Sequence, residues 1–295
     1  MADENRRKTP RQQLQQDPAF DEISPEVGEI DEQALADLVE EDADHALSLL
    51  AEMTGATDPA LAALAARLAG RLMIDLARVG PTDSRGIGRL QSSPADRADG
   101  DLDIEASFDA LVEARAGRYG VAAEDLRVRH WTKPTMAITL LVDRSGSMSG
   151  DRLAIAAVAA AACAWRAPAD WSVIAFSDRQ LALKSQDDSR PTSAVVNDLL
   201  RIRGRGTTDL DAALRAAARQ LERSRAKRRV TILLSDCRST AGVDAAKAAM
   251  RLDELCVIAP FDDAEDAGEF SRGVGARFAS IRVALDIPAA LASVL

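Results

Sequence analysis

The sequence predicts an α/β protein whose C-terminal half is a doubly wound, mostly parallel sheet, preceded by a helical N-terminal region. Three observations carry this. Apolar runs without polar interruption, MAITLLV at 136–142, VTILL at 230–234 and LCVIA at 255–259, have the length and branched content of strands buried on both faces. These runs alternate with helix-length segments, as in a sheet covered by helices on both sides. Residues 31–79 show leucine at helical spacing and no strand pattern.

Taken in order, residues 1–30 are polar, with prolines at 10, 18 and 25, and predict a disordered tail. Residues 31–53 place Leu35, Leu38, Val39, Leu47 and Leu50 on an acidic amphipathic helix with a break near Asp42. Asp58 followed by Pro59 reads as a cap and first turn. The helix beyond it, 60–79, has a stripe of Leu61, Leu64, Leu68, Leu72 and Leu76. Residues 80–100 are rich in Gly, Ser, Pro and Asp and read as a linker. A short helix at 104–115 and an edge strand at 126–131, ended by Pro134, complete an acidic helical region and linker over 31–118.

The C-terminal domain is expected at 134–295. Its strands are 136–142, 171–176, 180–184, 230–234, 255–259 and 277–283. Its helices are 151–167, 193–201, 209–224, 243–253 and 288–294. With 47% hydrophobic residues but only 3% aromatics, the core must be built from Ala, Leu, Val and Ile.

Charge narrows the function classes. The net charge is −10, and residues 1–60 alone carry 16 acids against four bases, so the acidity is concentrated at the N-terminus. An acidic segment of this kind argues against non-specific nucleic-acid binding, which needs cations to displace counterions. The basic runs at 201–205 and 223–229 read as solvated helix ends. No apolar stretch is long enough to span a bilayer, and the first residues have no apolar signal-peptide core. Cys163, Cys237 and Cys256 are odd in number and widely spaced, which predicts reduced thiols. Together these features predict a cytoplasmic protein.

Open parallel sheets bind ligands at the carboxyl ends of their strands, so the polar residues that end the strands are the candidates. The run at 136–142 passes into Asp143, Arg144, Ser145, Gly146 and Ser147. The run at 230–234 passes into Ser235 and Asp236. Between them a glycine-rich turn, Gly204–Asp209 in GRGTTD, opens a helix. Three loops thus bring two carboxylates and several hydroxyls to one sheet edge, a donor set of hard oxygens suited to Mg²⁺. His45 and His130 lie outside this segment, which disfavours a zinc site or a histidine-activated Cys237 nucleophile. A phosphatase with an aspartate nucleophile needs an acid/base carboxyl two residues after it, where this chain has Ser145.

This set resembles the metal-ion-dependent adhesion site of von Willebrand factor type A (VWA) domains. Asp143, Ser145 and Ser147 match the DxSxS element, Thr208 the threonine loop and Asp236 the later strand-end aspartate, in the family's order. The resemblance implies a Mg²⁺ (or Mn²⁺) ion held by these five residues. It also implies a non-enzymatic module whose partner supplies an Asp or Glu to the ion. The stretch GDLDIEAS at 100–107 and RVRHWTK at 127–133 looks like bacterial VWA proteins of the MoxR-associated and magnesium-chelatase type. That narrower resemblance implies an AAA+ ATPase partner, in assembly or metallation of another protein, with a subunit of an ATP-driven metal chelatase as the alternative. There is no GxxxxGK[ST] loop, so ATP hydrolysis would belong to another polypeptide.

Overall fold

A computed structural model describes residues 8–78, 89–95, 101–117, 120–132, 136–145, 150–202, 204, 206–239 and 244–295. The chain divides into two compact units, one of 1–84 with 136–295 and one of 85–135. Elements are numbered along the chain.

The N-terminal segment departs from the expected disordered tail over 1–30, of which 1–7 lie outside the described residues. Helices α1 (Arg11–Leu14) and α2 (Phe20–Ile23) bury Leu14, Phe20 and Ile23 almost completely. Thr9 pairs with Ala56 in a parallel bridge, and its carbonyl accepts from the Thr57 amide at 3.0 Å. The Arg11 guanidinium lies 5.0 Å over the Phe20 ring and donates to the Ser24 carbonyl at 2.6 Å. Three well-spaced apolar side chains are enough to anchor a segment whose average composition is polar.

The break expected near Asp42 is present. Helix α3 (Glu32–Glu41) is capped by Asp31, and α4 (Ala43–Met53) by Asp42, whose Oδ1 accepts from the His45 amide at 2.9 Å. Helix α5 (Pro59–Arg78) follows. Its buried face is Leu61, Ala65, Ala66, Ala69, Gly70, Met73 and Ala77, while Leu64, Leu68, Leu72 and Leu76 are only half-buried. The leucine stripe therefore flanks the contact rather than forming it. The reason is the neighbour: α5 packs on an alanine-rich helix, and small residues on both sides let two helices approach closely.

The unit of 85–135 is a separate structure; the short helix expected at 104–115 and the strand expected at 126–131 are present, but the strand is central to a small sheet rather than an edge, and part of the expected linker pairs with it. Strands β1 (Arg89–Pro94) and β2 (Asp101–Leu102) pair antiparallel with β3 (Arg127–Thr132), which lies between them. Helix α6 (Ile104–Gly117) is tied to β3 by polar groups: Asp103 caps the helix and pairs with Arg129 at 3.0 Å, and Ser107 accepts from the Arg127 amide at 2.8 Å. Its large apolar residues Ile104, Phe108 and Val112 are exposed.

The main sheet has the order β6-β5-β4-β7-β8-β9 for strands β4 (Met136–Asp143), β5 (Trp171–Phe176), β6 (Gln180–Lys184), β7 (Arg228–Leu234), β8 (Glu254–Pro260) and β9 (Arg277–Ile281). All neighbours are parallel except β5 and β6. One core lies on each face. On one, Ile138, Leu140 and Val142 meet α7 (Gly150–Arg166), with α8 (Thr192–Leu200) and α12 (Ile287–Val294). On the other, Leu141, Leu233 and Val257 meet α9 (Leu210–Leu221), α10 (Ala245–Ala249) and α11 (Glu265–Val274).

Helix α7 is buried nearly all round: Ala154 and the alanines from 156 to 162 are each at most 3% exposed, because α4, α5 and α8 cover the side that the sheet does not. Helices α3–α5 are thus an extra layer of the C-terminal unit. The expected boundary between a helical region at 31–118 and a domain at 134–295 does not describe this packing. Burying α7 on all sides needs those helices.

The basic run at 223–229 is largely engaged within the fold. Arg223 pairs with Asp187 at 3.0 Å, Arg228 with Glu254 at 2.7 Å, and Arg229 donates to the Ser224 carbonyl. In the run at 201–205, Arg203 and Arg205 lie outside the described residues.

Candidate metal centre at the sheet edge

Strand β4 connects to β5 on one side, and the chain then returns to β7 on the other side of β4. The strand order therefore reverses between β4 and β7, where open α/β sheets form their binding crevice. Val142 pairs in register with Leu234, so Asp143 and Ser235 leave the sheet side by side.

Each strand-end aspartate folds its own loop. Asp143 Oδ1 accepts from the Ser145 amide at 2.8 Å, and Asp236 Oδ1 accepts from the Arg238 amide at 3.0 Å. Asp143 Oδ2 accepts from the Ser235 hydroxyl at 2.6 Å, and that hydroxyl oxygen accepts from the Cys237 amide at 2.9 Å. Cys237 adopts a left-handed backbone, φ 61°, costly for a non-glycine residue and held by this hydrogen bond. Its thiol is buried and pushed up to about 12, by burial first and then by the negative charge of Asp236 and Asp143. A thiol in that state is a packed group, not a nucleophile.

The threonine loop is fastened from two directions. Gly206 has φ +86°, and a side chain there would come within 2.8 Å of Asp178 Oδ1, so only glycine lets the loop lie on the 177–178 turn. The Asp209 amide donates to the Ser177 carbonyl at 3.0 Å, and Asp209 caps α9 through the Ala212 amide. The Ser177 hydroxyl, then Arg179 and Arg144, hold the Asp178 carboxyl below the usual range. Thr208 is buried, and its carbonyl accepts from the Ser239 hydroxyl at 3.3 Å, which ties this loop to the one after β7.

Of the five residues expected to hold a cation, Asp143, Ser145 and Asp236 line one cavity of about 60 Å³. Thr208 stands on the adjoining loop and is not among the residues lining that cavity. Ser147, with Gly146, lies outside the described residues. The donors fit a small hard cation: carboxylate and hydroxyl oxygens share the cavity, with no histidine. Among the described residues no three or more His, Cys, Asp or Glu side chains are grouped to hold a metal. A cation here would therefore depend on hydroxyls and water as well as the two carboxylates. Sequence reasoning missed the roles of Ser235, which orients Asp143, and Ser239, which locks Thr208. A lone serine carries no periodic signal. Among the described residues no helix is long and apolar enough to cross a membrane.

Residues 138–239 match the family profile described as von Willebrand factor type A domain. The central, mostly parallel sheet between two helical layers, with its added N-terminal helices, is a VWA fold. No curated protein matches the chain. Solved structures of similar fold include a mutant of the PilB minor pilin from Streptococcus sanguinis, at 12% identity over 58% of this chain and 64% of that one, TM-score 0.45. Manganese-loaded TRAP protein from Plasmodium vivax matches at 18% identity over 52% and 72%, TM-score 0.41. A von Willebrand factor type A protein from Catenulispora acidiphila matches at 17% identity over 55% and 42%, TM-score 0.42. The match spans less than two thirds of the pilin and of the Catenulispora protein.

Proposed function

We propose that this protein is a non-enzymatic adaptor that holds a partner protein through a divalent cation, Mg²⁺ or Mn²⁺, at the edge of the main sheet. The observation that supports this most is the meeting of Asp143, Ser145 and Asp236, drawn from two separate strand ends, in one cavity at the point where the strand order reverses. Asp143 and Asp236 would supply charge, and Ser145, Ser147 and Thr208 neutral oxygens. Few anionic ligands leave a bound cation able to attract a further carboxylate. When bound, the cation supplies an electrophilic position for an Asp or Glu of the partner. The chain's own groups do the rest: Ser235 fixes the rotamer of Asp143, and the Asx turns at 143 and 236 shape the loops.

The resemblance in the upstream segments extends this reading to a MoxR-like AAA+ ATPase as the partner, in assembly or metallation of a client. That step rests on analogy between families. A pull-down from native lysate, run with Mg²⁺, with EDTA and with Asp143→Ala, tests it. Recovery of an AAA+ ATPase only in the first condition is the expected result. Equal recovery in all three would defeat a metal bridge.

A further inference from the structure

The cavity that holds Asp143, Ser145 and Asp236 is mostly not polar. Beside these and Ser235, its apolar walls come from the ends of β4, β7, β8 and β9, Ile281 among them, and from Ile155 and Ala156 of α7. Two half-buried carboxylates need no such surface, and an open apolar crevice beside a charged site is a cost unless something fills it. The cavity of about 60 Å³ opens to solvent, so an aliphatic side chain can lie against the apolar walls beside the oxygens that would hold the cation. Arg152 closes one side; it is exposed and makes no ion pair among the described residues.

We propose that this crevice is a side-chain pocket for the partner, taking a Leu, Ile or Val that lies next to the acidic residue meeting the cation. The occupant is therefore a protein segment with an acidic residue beside a branched aliphatic one. This rests on the cation reading above and adds specificity to it. The carboxylate alone would be shared by every acidic surface, whereas burial of the neighbouring aliphatic group distinguishes one segment from another. Two features of the cavity argue for an anionic, amphipathic occupant over a purely apolar one. The apolar walls are continuous with the oxygens of Asp143 and Asp236, where the bound cation would attract a carboxylate, and Arg152, the one basic side chain among the described lining residues, adds positive charge to the same space.

The test uses the full chain with ¹³C-labelled isoleucine methyls and ¹⁵N-labelled amides, first without and then with saturating Mg²⁺. Three probes are compared: acetate, isocaproate and the uncharged isohexanol. Isocaproate is acetate extended by an isobutyl group, and is expected to bind about tenfold or more tighter than acetate, since each buried methylene contributes about 0.8 kcal/mol. It should shift the methyls of Ile155, Ile258 and Ile281, and acetate should leave them in place. Ile155→Trp, at a half-buried position, should reduce isocaproate to the affinity of acetate, and Mg²⁺ titration of the same variant separates loss of the pocket from loss of the cation. If acetate and isocaproate bind equally and the isoleucine methyls stay still, the pocket is overturned while the cation reading stands. If isohexanol binds as well as isocaproate, the occupant is an uncharged apolar ligand and the proposal is wrong. If Mg²⁺ leaves the amide signals of Asp143 and Ser145 unmoved, the cation reading fails and the pocket falls with it.

Discussion

The extra helical layer can be probed where it comes closest to the candidate site. Gly150 is the first residue of α7, directly after the loop that follows Asp143. A Cβ there would stand 2.5 Å from the Ser48 carbonyl oxygen, 2.6 Å from the Ser48 hydroxyl and 2.7 Å from Glu52 Cγ, all on α4. The serine hydroxyl and the glutamate can swing aside, but the carbonyl belongs to helix backbone and cannot. To restore ordinary contact at 3.4 Å, α4 and α7 must part by about 0.9 Å in an interior packed at crystal density. Overpacking of that kind costs about 1–3 kcal/mol. The better helix propensity of alanine offsets at most about 1 kcal/mol of it. Gly150→Ala should therefore lose roughly 1–2 kcal/mol, read as a lower urea midpoint with unchanged m, or a fall of roughly 2–8 °C in Tm. Gly273→Ala in α11, where a Cβ meets nothing within 4 Å, is the control and should be neutral or stabilising. A Gly150→Ala protein as stable as the parent, beside a control that behaves, would refute close packing of α4 on α7.

Other expectations follow from single contacts. Phe20→Ala should cost about 3–5 kcal/mol in denaturant unfolding, since the ring is fully buried; a change under 1 kcal/mol would restore the view of 8–30 as a loose tail. Ser235→Ala removes the hydrogen bond to Asp143 and should cost about 1–2 kcal/mol while weakening Mg²⁺ binding in calorimetry. Glu254 is held below its usual 4.5 by Arg228 first and then Arg277, so its contribution is present above that value and lost as pH falls through the lower folded value. Glu254→Gln should accordingly lower stability at pH 7, with the difference shrinking in acid unfolding below about pH 4.5; a difference that grows toward acid would contradict the ion pairs. Cys163, Cys237 and Cys256 are all buried, with thiols pushed up to about 12, about 12 and about 11, so a disulfide reagent at pH 8 should label none in the native state and all three in urea.

Much of this architecture was legible in the sequence because buried parallel strands leave no polar interruptions. The runs at 136–142, 230–234 and 255–259 became β4, β7 and β8 with shifts of a residue or two. The N-terminal anchor was not legible, because composition over thirty residues averages away three apolar positions that matter individually. On α5, periodicity marked the large residues, while packing on alanine-rich α7 selected the small ones beside them. In the unit at 85–135 the helix and one strand were legible but the small sheet was not, because α6 turns little large apolar surface inward: it buries only Ser107 and Ala114, while Ile104, Phe108 and Val112 are exposed. At the site, the convergence of Asp143, Ser145 and Asp236 followed from strand ends alone. The supports from Ser235, Ser239 and the positive φ of Cys237 depend on loop geometry that no spacing rule encodes.

The central claim is that one small hard cation binds where β4 and β7 end. Calorimetric titration of the full chain with Mn²⁺, beside Asp143→Ala and Asp236→Ala variants shown to be folded by circular dichroism, tests it most directly. One ion per chain in the parent and none in either variant is the result this account expects. Equal uptake by all three proteins, or none by the parent, would contradict it.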